Sequence, residues 1–351
     1  MSGSLSRDAL AAAFRTQARG CQQAGSPIYA ELLSRAADDL EAGGPFAEIV
    51  ADYRGQPILD ALPLRVFGAI HGLVLDGEAP ELAAYYPSAG GTFEPEGAWR
   101  ALLALARART EELRRAAVER RVQTNEVRRS AALLGGFLHV ARATGLPLRL
   151  LEVGASAGLN LCWDRYHYRL GPHRWGDASA RVTIESDWSG AAPDLGAPVR
   201  VASRAGCDVA PIDVRDPIQR RRLESFVWPE QLDRLAALRG AMAAAQADPP
   251  RLEAARAGDW VARELAAPVP GTATVLFHSV VWWYLPEEER ARVDADVRAA
   301  GKRATREAPL AWLRMEGARV EEAELRLALW PTGEDQLLAR VHWHGAWVAW
   351  L

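Results

Sequence analysis

The stretch LRLLEVGASAGLN, residues 148–160, sets one acid, Glu152, inside an apolar run just ahead of a loop of small residues. Leu148, Leu150, Leu151 and Val153 read as a buried strand that Glu152 interrupts near its end. Gly154, Ala155, Ser156, Ala157 and Gly158 follow with little side-chain bulk, and a helical pattern begins near Leu159. A strand, a small-residue loop and a helix N-terminus make a cradle in which backbone N–H groups can approach a ligand. The plain alternative is a strand-to-helix turn that is merely small. The dinucleotide pattern G-x-G-x-x-G is not met, because Ala155, Ser156 and Ala157 follow Gly154, and no phosphate loop ending in Gly-Lys-Ser/Thr is present.

Further along, TATVLFHSVV (272–281) is a continuous apolar strand with His278 and Ser279 near its C-terminal end. That edge is where ligands bind in doubly wound sheets. An imidazole accepts a proton near neutral pH, so His278 is the best general-base candidate, although a lone buried histidine is more often structural. Trp282, Trp283 and Tyr284 come next; they can stack a planar substrate or shield a cation, or they can be core. Asn125, Glu126, Arg128 and Arg129 open a helix. They read either as a cap with solvated charges or as groups that bring Asn125 or Arg129 over a cofactor or a substrate carboxylate. His342 and His344 share a strand face, a spacing able to bind metal, and Glu316 with His278 would have to complete such a site.

These residues need elements to position them. Residues 1–147 read as a helical cap: Leu5–Gln23, Ile28–Glu41, Phe46–Tyr53, Leu62–Asp76, Ala98–Arg121 and Val127–Thr144 carry helical apolar spacing. Tyr85–Gly91 is a loop that can act as a lid, although a tyrosine pair such as Tyr85-Tyr86 more often packs on a helix, and Gly135-Gly136 predicts close packing or a kink. Residues 148–351 read as an α/β core. A β-insertion is expected at about 163–198, with a hairpin or flap over 166–188. Val199–Pro211 and Arg251–Ala257 are further strand regions. Pro217–Gln246 is helical with a break at Trp228-Pro229. Pro309–Met315 precedes an antiparallel pair, Glu324–Trp330 with Gln336–His344, and a last strand over Trp347–Leu351.

A length of 351 residues suffices for one large domain or two, and 49% hydrophobic with 25% charged residues is ordinary for a globular protein. The net charge of −3 gives no global attraction to nucleic acid or anionic membrane. No apolar run is long enough to span a bilayer, and no basic-then-apolar leader is evident. Three separated cysteines, Cys21, Cys162 and Cys207, argue against a disulfide framework and fit a reducing cytoplasm. The expected partner is a small-molecule substrate; the oligomeric state is left open.

An acid inside the strand followed by G-x-x-x-G resembles the first motif of class I S-adenosylmethionine-dependent methyltransferases. The resemblance implies a Rossmann-like, methyltransferase-type sheet of parallel strands plus a terminal antiparallel pair, with S-adenosylmethionine as cofactor. Glu152, Gly154, Ala155, Ser156, Gly158 and Asn160 then lie under the cofactor, with His278 and Ser279 near it. Asp208 would take both ribose hydroxyls, since one carboxylate offers two acceptor oxygens to a vicinal diol. Asp187 and Asp213 are its rivals. Asp259 would accept from the adenine amino group and Trp260 cover the ring; locally, Asp259 is equally good as a helix N-cap. His278, Glu316 and Tyr284 form the catalytic candidates, and Asn125, Arg129, Trp282 and Trp283 the substrate set. The motifs VQTNEVRRSAALL, LLEVGASAGLNLCWDRYHY, RAGCDVAPIDV, FHSVVWWYLP, WLRMEG and HWHGAWVAWL are similar to a bacterial domain-of-unknown-function family with a methyltransferase-like core. The resemblance implies methyl transfer to a small molecule. Two other readings are kept: an inactive nucleoside-binding or protein-interaction member, and a metal-dependent hydrolase using His278, Glu316 and His344.

Overall fold

The computed structural model describes residues 5–317 and 322–351 and divides the chain into two compact units. The first comprises the residues up to Thr124 together with Asp216–Ala236. It is helical. Ser6 and Ser26 accept from Ala9 N and Tyr29 N at the starts of Arg7–Gln23 and Pro27–Glu41, each satisfying one orphan donor. Proline stands in the first turn of Pro27–Glu41, Leu62–Leu75 and Pro95–Ala108, where its missing N–H costs nothing. Phe14, Phe46, Phe67, Leu32 and Leu33 are fully buried in this unit's core. The single helix expected over 98–121 is two, Pro95–Ala108 and Thr110–Glu119, because Arg109 leaves helical geometry at φ −120°. The break at Trp228-Pro229 is present, between Pro217–Ser225 and Leu232–Ala247.

The second unit holds residues 125–215 and 237–351. The boundary expected at 147/148 therefore falls at 124/125. The helix Ser130–Thr144 is buried on nearly every side and packs against the sheet. Its Gly135-Gly136 pair permits that approach: a Cβ on either would overlap the Trp350 ring or the Leu313 side chain.

Among the described residues this unit forms one sheet of eleven strands. They are β1 (Leu148–Val153), β2 (His167–Leu170), β3 (His173–Trp175), β4 (Thr183–Gly190), β5 (Val201–Asp208), β6 (Arg251–Ala254), β7 (Ala273–Ser279), β8 (Leu310–Gly317), β9 (Ala323–Trp330), β10 (Glu334–Val341) and β11 (Trp347–Trp350). The order is β3-β2-β4-β11-β10-β9-β8-β7-β1-β5-β6. Strands β6, β5, β1, β7 and β8 run parallel; β9 is antiparallel to β8, and β10 to β9. After β1 the chain adds β5 and β6 on one side, then β7 and β8 on the other. The strand order thus reverses at β1, and such a reversal opens a crevice at the carboxyl ends of the strands. The expected hairpin is present as β2–β3; β4 then pairs parallel with both β2 and β11 and extends the sheet.

One expected element is absent. No α-helix follows the small-residue loop; Asn160–Arg165 is a 3-10 turn of six residues. Its carbonyls have other donors. The Tyr166 hydroxyl donates to Leu159 O at 2.6 Å and the Tyr168 hydroxyl to Trp163 O at 2.8 Å. Trp163 is fully buried, stacked between Phe137 and Trp175. Among the described residues no helix is long and apolar enough to cross a membrane.

Candidate functional site

The loop after β1 is a closed structure. Gly154, Ser156 and Gly158 have φ of 70°, 51° and 68°. A Cβ on Gly154 would overlap Val281, and one on Gly158 would come within 2.7 Å of Pro250 Cγ. The glycines therefore serve packing. The backbone amides are also taken. Ala155 N donates to Cys207 O at 3.0 Å, Ser156 N to Asp208 Oδ2 at 3.0 Å and Gly158 N to Ala155 O at 2.7 Å. Ala157 N and Leu159 N both donate to Asn125 Oδ1, at 3.2 and 3.0 Å. The expected cradle of ligand-facing N–H groups is thus corrected on two counts: the amides are satisfied internally, and no helix dipole stands behind them.

What the loop leaves unpaired is side-chain chemistry. Glu152 Oε2, Ser156 Oγ and Asn160 Oδ1 are buried and have no hydrogen-bond partner. Buried polar atoms are normally paired, and each orphan costs about 1–3 kcal/mol. Three of them belong to one strand end and the loop and turn that follow it. Burial pushes the Glu152 carboxyl well above the usual carboxylate range, and the neighbouring Asp208 adds to this; Arg129 and Asn160 act the other way. Asp208 stands at the end of β5, beside β1. Its Oδ2 accepts from Ser156 N and its Oδ1 from Ala210 N, and each oxygen keeps a lone pair. Arg129 donates from Nη1 to Ser279 O at 3.1 Å and from Nε to Trp343 O at 3.0 Å, tying the end of β7 to the turn after β10.

His278 and Glu316 lie together but on the other face of the sheet. Side chains alternate along a strand. Leu151, Val153 and Leu276 point into the core that holds Trp260, Val293 and Trp312, and His278 has the same parity as Leu276. Glu152 has the opposite parity and pairs in register with Phe277, whose ring packs edge-on against Phe137 of the helix Ser130–Thr144. His278 Nδ1 contacts Glu316 Oε1 at 2.6 Å, its Nε2 is unpartnered, and its ring stacks on Trp282 at 4.9 Å. Glu316 also accepts from Val281 N at 3.1 Å and Trp282 N at 3.3 Å. It thereby braces Val280, a β-branched residue held at φ 55°. Such strain persists only where the surroundings impose it.

A family model described as an uncharacterized protein conserved in bacteria (DUF2332) matches residues 11–350. The chain belongs to this DUF2332 family. No curated protein and no solved structure matches it.

Other candidate residues of this DUF2332 chain lie away from the β1 strand end. Trp260 is fully buried in the core, so the role of covering an adenine ring is withdrawn. Asp259 lies in the first turn of Ala257–Glu264, largely exposed and paired with Arg292 at 2.6 Å; it is not the N-cap, which is Arg256. Asp187 sits in β4 against β11, well along the sheet from β5, and Asp213 pairs with Arg215. Trp282 packs beside His278, whereas Tyr284 is 71% exposed and touches Trp283 edge-on. Trp283 is 52% exposed and its ring lies 4.8 Å from Trp343, a partner that sequence reasoning missed. His342 Nδ1 accepts from His344 N, and burial lowers its basicity. Among the described residues no three His, Cys, Asp or Glu side chains gather to hold a metal.

Proposed function

We propose that the chain is an S-adenosylmethionine-dependent methyltransferase acting on a small molecule, built on a Rossmann-like, methyltransferase-type sheet. The observation that carries this reading is the set of unpaired acceptors at the carboxyl end of β1, beside Asp208. The loop amides are occupied, no α-helix N-terminus follows, and two carboxyl groups stand close by. This combination disfavours a pyrophosphate, which needs free N–H donors. It favours a ligand rich in hydroxyl and ammonium groups. An adenosyl sulfonium amino acid is such a ligand.

When bound, that group supplies a methyl already activated on sulfur. The chain's own residues bind and orient. Glu152, Ser156, Asn160 and Asp208 hold the donor-rich end. Asn125 fixes the loop from outside, and Arg129 fixes the end of β7. The exposed Trp283 ring, backed by the half-buried Trp343, offers an acceptor an apolar surface. His278 and Glu316 act as positioning residues that hold the Val280–Trp282 turn. Three buried free thiols fit a reducing, cytoplasmic setting.

A thermal-shift panel with S-adenosylmethionine, S-adenosylhomocysteine, NAD and zinc tests this. At one hundred times its dissociation constant a ligand adds about 2.7 kcal/mol of stability. A shift with the two adenosyl compounds alone supports the proposal. No shift with either at millimolar concentration overturns it.

A further inference from the structure

The helical unit holds a serine–histidine pair that the proposed methyl transfer does not use. His71, in the helix Leu62–Leu75, is fully buried. Its Nδ1 lies 3.2 Å from Ser225 O and its Nε2 lies 2.7 Å from Ser88 Oγ. The tautomer follows from chemistry. Ser225 is the last residue of Pro217–Ser225, and the residue four positions on is Pro229, which has no N–H to give its carbonyl. A carbonyl only accepts, so Nδ1 carries the proton and Nε2 presents a lone pair to the Ser88 hydroxyl. Ser88 sits in the short 3-10 turn Pro87–Ala89 and is only half-buried. A reachable hydroxyl, a base within hydrogen-bond distance and a third group orienting that base are the parts of an activated nucleophile.

We propose that Ser88 is a nucleophile that His71 deprotonates and that it takes an acyl group from an activated ester or thioester. As Oγ attacks the carbonyl carbon its proton passes to Nε2. The bond from carbon to the leaving oxygen or sulfur breaks, and the leaving group takes the proton from Nε2. Water then repeats the attack on the acyl-serine, giving a carboxylic acid and restoring the Ser88 hydroxyl. The donor class follows from the turn. Ala89, Gly90 and Gly91 N–H already donate to Tyr86 and Pro87 carbonyls, so the residues next to Ser88 offer no free oxyanion donors. Donors with good leaving groups are therefore within its reach and amides are not.

The test uses the full chain with p-nitrophenyl acetate, following nitrophenolate release and mapping acetyl adducts by peptide mass spectrometry. Acetylation at Ser88, or release that falls about tenfold or more in Ser88→Ala, supports the proposal. Equal release from the parent and the variant with no Ser88 adduct overturns it. Ser88→Cys gives a second readout that survives slow turnover. Its thiol is expected to alkylate with iodoacetamide at neutral pH faster than the thiol of Ser34→Cys, which stands on an exposed helix face. An equal or slower rate overturns the proposal.

Discussion

The two faces of the sheet meet at the same edge and treat polar groups in opposite ways. On the β1 and β5 side, Glu152, Ser156 and Asn160 each keep a buried atom unpaired while the amides from Ala155 to Leu159 are bonded within the chain. On the β7 and β8 side, one carboxylate, Glu316, gathers three donors and closes a strained turn. The first leaves an oxygen of Glu152 without a donor, whereas the second bonds both oxygens of Glu316 and leaves over His278 Nε2. Residue type alone does not separate them, since both contain a glutamate beside a polar partner. The difference lies in what each carboxyl group already accepts.

Breaking the finished side gives the largest expected effect. Glu316→Ala strands His278 Nδ1 and two backbone N–H groups, so a loss of about 3 kcal/mol or more is expected in denaturant unfolding. A loss under about 1 kcal/mol would show that the turn does not depend on it. Next comes Asn125→Ala, which orphans the Ala157 and Leu159 amides. About 2 kcal/mol is expected, with Asn125→Asp retaining most of the stability because it keeps the acceptor oxygen.

Glu152→Gln sharpens the comparison through pH. The folded-state pKa of Glu152 is raised above its unfolded value, so its contribution to stability is full below the unfolded carboxylate range and is lost as pH rises toward the folded value. The parent's melting temperature is therefore expected to fall from weakly acidic to neutral pH by more than that of Glu152→Gln. Parallel curves would contradict the burial argument. The smallest effect on stability belongs to Ser156→Ala. It removes a buried hydroxyl with no partner, so a gain of about 1 kcal/mol is expected, together with a several-fold loss of adenosyl-ligand affinity.

The sequence made the elements legible and left the faces hidden. Strands β1, β7 and β8 were readable as apolar runs, as was the loop after β1. Strands buried on both sides carry no alternation, so nothing in VLFHSVV says which way His278 points. The reach of Asn125 across 32 residues to Ala157 is a tertiary contact with no local signal. The helix expected after Gly158 is a 3-10 turn, in which Leu159 O and Trp163 O accept from Cys162 N and Tyr166 N as well as from the Tyr166 and Tyr168 hydroxyls. Asp208 stands at the end of β5 and the small-residue loop follows β1, but the loop's amides from Ala155 on are bonded within the chain. Its side chains, not its amides, are what remain available.

Calorimetric titration of S-adenosylhomocysteine into the parent, Glu152→Gln and Asp208→Asn tests the central claim most directly. The account predicts one site per chain in the parent and weaker binding in both variants, with no heat from NAD. Equal affinity in all three proteins, or binding of NAD in place of the adenosyl compound, would contradict it.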